Sequence, residues 1–269
     1  MKLETQFKKT LKEISLSKKD KILVAISGGK DSMTTSYLLK KLGYNIEGFH
    51  IDLKIGGYSD RCLKAAQELC DNMKIKLYVY DVRKEMGAGM CYLRMNVQES
   101  DKKNLKNCAI CGVIKKWIFN KKARELKAKY IATGHNLDDE VETILLNVCK
   151  GDVSLGLNSG VLTKNKSDKK FIPRIKPLFY LENEEIKKYS KEMKLPVVYD
   201  KCPCALDSYR IQIRDFAKDL TNKQKKNILK NFERLSKKVK EKKSEISYCE
   251  ICGEPTRKNI CKKCELLGK

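Results

Sequence analysis

Apolar residues along this chain fall into two alternating patterns. Short, nearly continuous apolar runs predict buried strands at residues 22–26, 46–52, 75–82, 130–133 and 174–179. Stretches with helical spacing of apolar residues separate these runs. Because strands alternate with helices, the pattern predicts an α/β fold with a doubly wound, mostly parallel sheet.

The remaining pattern divides the chain into helical and irregular stretches. Residues 1–20 predict an N-terminal amphipathic helix, and 206–239 predict a helical region whose core includes Phe216 and Leu235. Residues 84–107 and 150–173 lack clear periodicity and predict long loops. We therefore expect four parts: a helix at 1–20, a main domain at 21–200, a basic helical region at 201–243 and a small module at 244–269.

Composition narrows the class of protein. With 269 residues, of which 41% are hydrophobic, the chain can form one substantial domain and a small appendage. No apolar stretch approaches the length of a membrane span, and the first residues lack the apolar segment of a secretion signal. These features predict a cytoplasmic protein that does not enter a membrane.

Charge indicates the kind of partner. The chain has 58 Lys and Arg against 34 Asp and Glu, which gives a net charge of +24. Such an excess favours a polyanion such as RNA, although solvated lysine-rich surfaces would account for part of it.

Six residues between the first strand and the next helix form the strongest motif, Ser27-Gly28-Gly29-Lys30-Asp31-Ser32. A strand that passes through glycines into a helix presents a row of backbone N–H groups, which suits phosphate. Lys30 adds a positive charge, and Ser27 and Ser32 add hydroxyl donors. The spacing is not that of Walker A, and a tight turn alone could also need the glycines.

Polar residues also end other strands on the same expected edge of the sheet, where ligands bind in such folds. We expect the following residues to surround a nucleotide and its Mg²⁺: His50, Asp52, Gly134, His135, Asp138 and Asp139. Helix capping is the alternative for the two aspartates, and simple packing or a structural role is the alternative for the histidines.

Twelve cysteines in a chain of this length without a secretion signal indicate metal binding more than disulfides. The tail has two Cys-x-x-Cys pairs, Cys249 with Cys252 and Cys261 with Cys264, separated by eight residues. Four thiolates in this arrangement predict a structural, tetrahedral Zn²⁺ site. A module of this size has too small a core to fold without such a ligand.

A second cysteine group lies further up the chain. Cys108 and Cys111, with Cys202 or Cys204, would supply three thiolates, as expected for a [4Fe–4S] cluster with one open iron. A redox-active dithiol and a second zinc site are the alternatives.

The hexapeptide resembles the PP-loop of the N-type ATP pyrophosphatases, which cleave ATP between its α and β phosphates. Together with Cys108 to Gly112, Gly134 to Glu140, Asp200 to Pro203 and the tail cysteines, it resembles the tRNA 2-thiouridine synthetases of the TtuA type. The resemblance extends from about residue 20 to the end of the sequence. The zinc finger that usually begins this family has no counterpart before the first predicted helix.

The resemblance implies that ATP adenylates the C2 oxygen of a tRNA uridine. In such enzymes the loop glycines and Ser32 hold pyrophosphate, Lys30 neutralises its charge, and Asp31 and Asp139 act at Mg²⁺ or orient the nucleophile. Sulfur transfer to C2 and loss of AMP then take place at a [4Fe–4S] cluster held by Cys108, Cys111 and Cys202. Lys115 would stabilise the developing oxyanion or orient the base, unless it is only a surface lysine.

The resemblance further implies tRNA as a partner, a homodimer, and either free sulfide or a thiocarboxylated ubiquitin-like protein as sulfur donor. Two other functions remain open at this point. One is a PP-loop ligase that joins ammonia or an amine to RNA and needs no cysteine set. The other is an iron–sulfur, RNA-binding redox sensor without turnover, which would leave the PP-loop unexplained.

Overall fold

The computed structural model describes residues 2–100, 105–151, 156–157, 159–163, 168, 170–205, 210–238 and 246–268. Within these residues no helix is both long and apolar enough to cross a membrane. The expected boundary between residues 243 and 244 lies outside the described residues, and the four-part division of the chain stays a prediction.

Five parallel strands form the central sheet, in the spatial order β3-β2-β1-β4-β5. The strands are β1 (Ile22–Ala25), β2 (Ile46–Asp52), β3 (Leu77–Asp81), β4 (Tyr130–Ala132) and β5 (Arg174–Ile175). The predicted parallel, doubly wound sheet is therefore confirmed. Each strand contributes a short apolar run because helices cover both faces of the sheet.

Eleven helices lie within the described residues. In chain order they are α1 (Lys2–Ile14), α2 (Lys30–Lys41), α3 (Gly56–Asn72), α4 (Val82–Met86), α5 (Met90–Ser100), α6 (Asn107–Glu125), α7 (Leu137–Cys149), α8 (Asn183–Glu192), α9 (Arg210–Lys218), α10 (Asn222–Lys238) and α11 (Lys262–Leu266).

Two apolar cores lie on opposite faces of the sheet. One core packs α1, α2, α3 and α8 against the sheet through residues such as Phe7 and Met33. The other packs α5 and α6 through residues such as Met90 and Ile114. The strand order reverses between β1 and β4, and such a switch point opens a crevice at the carboxyl ends of the strands.

Two predictions about the helices are wrong. The stretch expected as a loop at residues 84–107 contains the end of α4 and the whole of α5. The buried stripe of α5 is Met90, Leu93, Arg94 and Val97. The core positions expected at Phe216 and Leu235 are 60% and 59% exposed, because α9 and α10 face the rest of the protein through other residues.

The C-terminal parts pack closely on the main domain. Helices α9 and α10 lie against α7 and share a small core with it that includes Phe179 and Phe232. The tail contributes a hairpin, β6 (Ser247–Tyr248) and β7 (Pro255–Thr256), followed by α11. Glu254 in this hairpin forms a buried ion pair with Arg124 of α6, which fixes the tail module beside that helix.

Candidate active site and cysteine centres

The expected phosphate-binding loop joins β1 to α2. Gly28 has φ of 82°, and a Cβ there would lie 2.7 Å from the Cys62 carbonyl oxygen, so only glycine fits. Gly29 then provides the N-cap of α2. The loop thus brings free backbone N–H groups at a helix N-terminus to the carboxyl edge of the sheet, which is the geometry that binds phosphate.

Two serine hydroxyls hold this loop in shape. The Ser27 and Ser32 hydroxyl oxygens lie 3.0 Å apart, and the Ser27 backbone N–H donates to the Ser32 hydroxyl at 3.0 Å. The Ser32 hydroxyl in turn donates to the Gly29 carbonyl at 2.9 Å. The loop is therefore preorganised before any ligand binds.

Lys30 and Asp31 lie in one polar network with two asparagines. The Lys30 ammonium contacts the Asp31 carboxylate at 2.7 Å and the Asn183 side-chain oxygen at 2.7 Å. The Asn136 amide donates to both Asp31 and Asn183 at 3.0 Å. Asn136 belongs to the segment 134–140 that the sequence places at this edge of the sheet, and it is the N-cap of α7, whereas Asn183 carries no motif and was not predicted.

The segment after β4 lies directly against this loop. A Cβ on Gly134 would lie 2.7 Å from the Asp31 carbonyl carbon, so glycine permits the close approach. The next residue, His135, is exposed to solvent, but the protein groups around it partly desolvate its ring. This partial desolvation, together with the positive charge of Lys176, lowers the pKa of His135 to about 4, and the ring is neutral at pH 7.

The two adjacent aspartates at the start of α7 have different environments. Asp138 is buried, accepts the Asn183 backbone N–H at 2.7 Å and forms an ion pair with Lys225 of α10 at 2.7 Å. Asp139 completes the capping box with Asn136. Burial, with the neighbouring Asp31 carboxylate, raises the pKa of Asp139 to about 6.

His50 and Asp52 lie at the end of β2, as expected, and both are buried. The His50 Nδ1 is 2.9 Å from the Ile26 carbonyl oxygen, and burial lowers its pKa. Asp52 bonds the backbone N–H and the ammonium of Lys54. Both side chains have structural partners, and their roles at a nucleotide stay predictions.

Cys108, Cys111 and Lys115 lie on one face of α6, because their spacing is i, i+3 and i+7. Cys202 lies close enough to Cys111 and Lys115 for their charges to act on its thiol, whose pKa is raised mainly by burial. These three cysteines are not within the range of one shared metal ion. A cubane binds each thiolate at a different iron, so its ligands lie farther apart than those of a single ion.

The side chain of Cys204 contacts residues of α5. The Arg94 guanidinium donates to the Cys204 sulfur at 3.0 Å, and the Cys91 sulfur lies 3.8 Å away. Arg94 is buried in α5, the helix that the sequence pattern did not predict. Cys204 therefore has neighbours in α5 as well as Cys202, and the assignment of Cys202 as the third ligand stays a prediction.

The four tail cysteines come together as expected. The sulfur atoms of Cys249, Cys252, Cys261 and Cys264 all lie within 4.8 Å of one another. Although burial opposes it, backbone N–H groups of Cys261, Cys252 and Ile251 lower the pKa of Cys249 to about 6, which favours the thiolate. This donor set suits one tetrahedral ion such as Zn²⁺.

Comparison with known proteins agrees with this arrangement. A family model described as a PP-loop domain matches residues 1–220. The tRNA-5-methyluridine(54) 2-sulfurtransferase of Pyrococcus horikoshii is 33% identical over 260 residues, which cover 94% of this chain and 80% of the relative. A probable sulfurtransferase of Methanocaldococcus jannaschii is 33% identical over 99% of this chain and 80% of its own length.

A solved structure shows the same fold. The U34-tRNA thiolase NcsA from Methanococcus maripaludis with its [4Fe-4S] cluster superposes with a TM-score of 0.80 and 27% identity, over 98% of this chain and 86% of that one. The fold and the loop at residues 27–32 therefore define the class of a PP-loop protein. Within that class, the chain belongs to the family of the tRNA 2-sulfurtransferases.

Proposed function

We propose that this protein replaces the C2 oxygen of a tRNA uridine with sulfur. ATP first adenylates that oxygen and releases pyrophosphate. Sulfide then attacks C2, and AMP leaves with the original oxygen. The bond that breaks in the second step is the C2–O bond that adenylation has activated. Sulfur stays at the oxidation level of sulfide, so no oxidant or reductant is consumed.

The observation that carries the proposal is a series of contacts that leads from the phosphate-binding loop toward the α6 cysteines, beginning with the Asn136 amide, which joins Asp31 to the start of α7 at 3.0 Å. Asp31 acts electrostatically on Asp139, and Asp139 and the Cys108 thiol both act on Arg214 of α9. The Arg214 guanidinium itself pairs with Glu142 of α7 at 3.0 Å. A uridine held between these groups could therefore meet both ATP and the sulfur site without leaving the protein.

The residues of the loop account for the first step. Backbone N–H groups of Gly28 to Ser32 and the Lys30 ammonium would bind the phosphates and stabilise the charge that develops on pyrophosphate. Asp31 and Asp139 offer carboxylate oxygens to the Mg²⁺ that accompanies ATP. Asp138 is assigned a structural role here, since Lys225 and Asn183 occupy both of its oxygens.

The cysteines of α6 fit the cofactor that the family resemblance implies. Cys108 and Cys111 lie in the first two turns of α6, near the positive end of the helix dipole, which favours thiolates, and the charge of Cys111 acts on the Cys202 thiol. Three thiolates can hold a [4Fe–4S] cluster and leave one iron open for sulfide. Lys115 is near Cys202 and could stabilise negative charge at C2.

Other parts of the proposal concern the tail and the partners. The tail cysteines would bind Zn²⁺ as a structural site, since their sulfur atoms already lie close together. The sulfur donor would be free sulfide or a thiocarboxylated ubiquitin-like protein, and the assembly a homodimer. These last two features stay predictions from the family resemblance.

An anaerobic thiolation assay tests the function. Protein purified without oxygen is mixed with ATP, Mg²⁺, sulfide and an unmodified tRNA transcript, and 2-thiouridine is measured by mass spectrometry of the digested RNA. We expect 2-thiouridine only when ATP and sulfide are both present. Asp31→Ala should abolish pyrophosphate release while tRNA binding stays close to that of the unaltered protein.

Two outcomes would contradict the proposal. Undiminished pyrophosphate release by the Asp31→Ala protein would remove Asp31 from the mechanism. Release of pyrophosphate with ammonia, but no 2-thiouridine with sulfide, would indicate a PP-loop ligase in place of a sulfurtransferase.

A further inference from the structure

A pocket of about 380 Å³ lies between α6, the segment before β5 and the tail module. Its apolar and aromatic wall includes Val113, Trp117, Phe171 and Ile172. Such a volume is sufficient for one nucleotide or a similar small group. We call it the Trp117 pocket.

Positive side chains surround this wall. Lys116, Arg174, Lys262 and Lys263 line the pocket, against a single acidic residue, Glu254, which is already paired with Arg124. Lys262 lies 2.9 Å from Glu265 at the surface. Among the described residues, neither Lys116 nor Arg174 has an acidic side chain within ion-pair distance, and the Arg174 guanidinium donates only to the Lys116 carbonyl, at 3.4 Å. The pocket therefore has cationic groups that an anion would stabilise.

The same two cations connect the pocket to the proposed active site. Lys116 is close enough to Arg174, Arg210 and Lys176 for their charges to act on it. Arg174, Arg210 and Lys176 also act on His135, in the segment packed against the phosphate-binding loop. Lys116 and Arg174 thus belong to one cationic group with Arg210 and Lys176, whereas the pocket itself lies on the flank of α6 away from Cys108, Cys111 and Lys115.

We propose that the Trp117 pocket binds a nucleotide of the tRNA other than the target uridine, with its phosphate on Lys116 and Arg174 and its base against Phe171, beside Trp117, whose ring centroid lies 4.5 Å from the Lys263 ammonium. This inference rests on the proposed function for tRNA as the ligand. An aromatic wall beside two unpaired cations is the combination that binds unstacked nucleotides of RNA.

The sequence provides a direct probe, since Trp117 is the only tryptophan in the chain. The full-length protein is titrated with unmodified tRNA transcript. Tryptophan fluorescence is excited at a wavelength where tyrosine absorbs little, and its emission is recorded. We expect a saturable change, because a base bound beside the indole, or movement of the Lys263 ammonium from its ring, alters the emission. The same titration is repeated at several salt concentrations.

Charge variants then identify the phosphate contact. Arg174→Gln should weaken tRNA binding about tenfold and lower the slope of log affinity against log salt by about one. Lys188→Gln is the matched control, because it removes the same charge from an exposed position on α8 and should change neither quantity appreciably. If Arg174→Gln folds poorly, Lys116→Gln replaces it as the test, because Lys116 has an exposed side chain on α6. We expect the same effect on tRNA binding.

Several results would overturn the inference. It fails if tRNA binds without any change in Trp117 fluorescence, if both pocket variants behave like Lys188→Gln, or if an acidic protein changes the fluorescence and tRNA does not. These failures are separate from a failure of the proposed function. A protein that binds tRNA through the pocket but forms no 2-thiouridine would contradict the function and still support nucleotide binding here.

Discussion

The pKa of Asp139 gives a prediction in which loss of a site residue stabilises the protein. Its pKa is raised from 3.8 to about 6 by burial and by Asp31. Each unit of difference between the folded and unfolded pKa corresponds to about 1.4 kcal/mol. The shift of about two units therefore means that ionised Asp139 destabilises the fold by about 3 kcal/mol. The Asp139→Asn protein avoids this cost but loses charge at the α7 N-terminus, which costs about 1 kcal/mol. We therefore expect Asp139→Asn to raise the free energy of unfolding by about 2 kcal/mol at pH 8.

The sign of the pH dependence follows from the raised pKa. Above about pH 7 the residue is ionised in both states, so the full cost is present in the unaltered protein. As the pH falls through about 6, folded Asp139 takes up a proton, and below about 4 the cost has disappeared. The advantage of Asp139→Asn should therefore shrink between pH 7 and pH 4 and vanish at the acid end.

Urea unfolding of the nucleotide-free protein between pH 4 and pH 8 measures this effect. The neighbouring Asp138→Asn provides the matched control, because the same substitution there leaves the Lys225 ammonium, 2.7 Å away, without its partner. Loss of one member of a buried pair should destabilise the protein by about 3 kcal/mol. An Asp139→Asn protein less stable than the unaltered one at pH 8, or a difference that stays constant with pH, would refute the reasoning.

Three further predictions concern the loop and the two cysteine groups. Gly134→Ala places a Cβ 2.7 Å from the Asp31 backbone and should lower stability by about 2 kcal/mol in thermal unfolding. Gly112→Ala is the control: it has open space around it in α6 and should be neutral or stabilising. Equal effects of the two substitutions would contradict the close approach at Gly134. Metal analysis should find one zinc per chain that survives loss of iron and disappears in Cys252→Ser, and a tail disulfide in the reduced protein would be inconsistent with this site. Cys202→Ala should lose the iron–sulfur absorption and thiolation together. Cys204→Ala should keep both, because the Cys204 sulfur contacts Arg94 in the unaltered protein. The opposite result would assign the ligand to Cys204.

The sheet could be predicted from the sequence because strands buried on both faces appear as continuous apolar runs. Helix α5 could not, since its buried stripe includes Arg94 while Tyr92 and Met95 are exposed, which obscures the helical period. The prediction that Phe216 and Leu235 are buried was also wrong, because it depended on packing between helices. In α10 the apolar residues from Ile228 to Leu235 lie on one side of the helix, but packing against α7 buries only Leu229 and Phe232 of that stripe.

The loop residues of the candidate site could be predicted because their chemistry is local to one strand-to-helix turn. Their partners could not. Asn183 reaches Lys30 from 153 positions along the chain, and Lys225 reaches Asp138 from 87. Such pairs depend on how the sheet brings distant segments together, and a single sequence carries no motif for them.

The path of one oxygen atom tests the central claim most directly. A tRNA transcript carrying ¹⁸O at the uracil C2 position is incubated anaerobically with the protein, ATP and sulfide, and the AMP released is analysed by mass spectrometry. Adenylation at C2 followed by sulfur attack predicts one ¹⁸O in the phosphate of AMP for each 2-thiouridine formed. Formation of 2-thiouridine alongside AMP that contains no ¹⁸O would contradict the account.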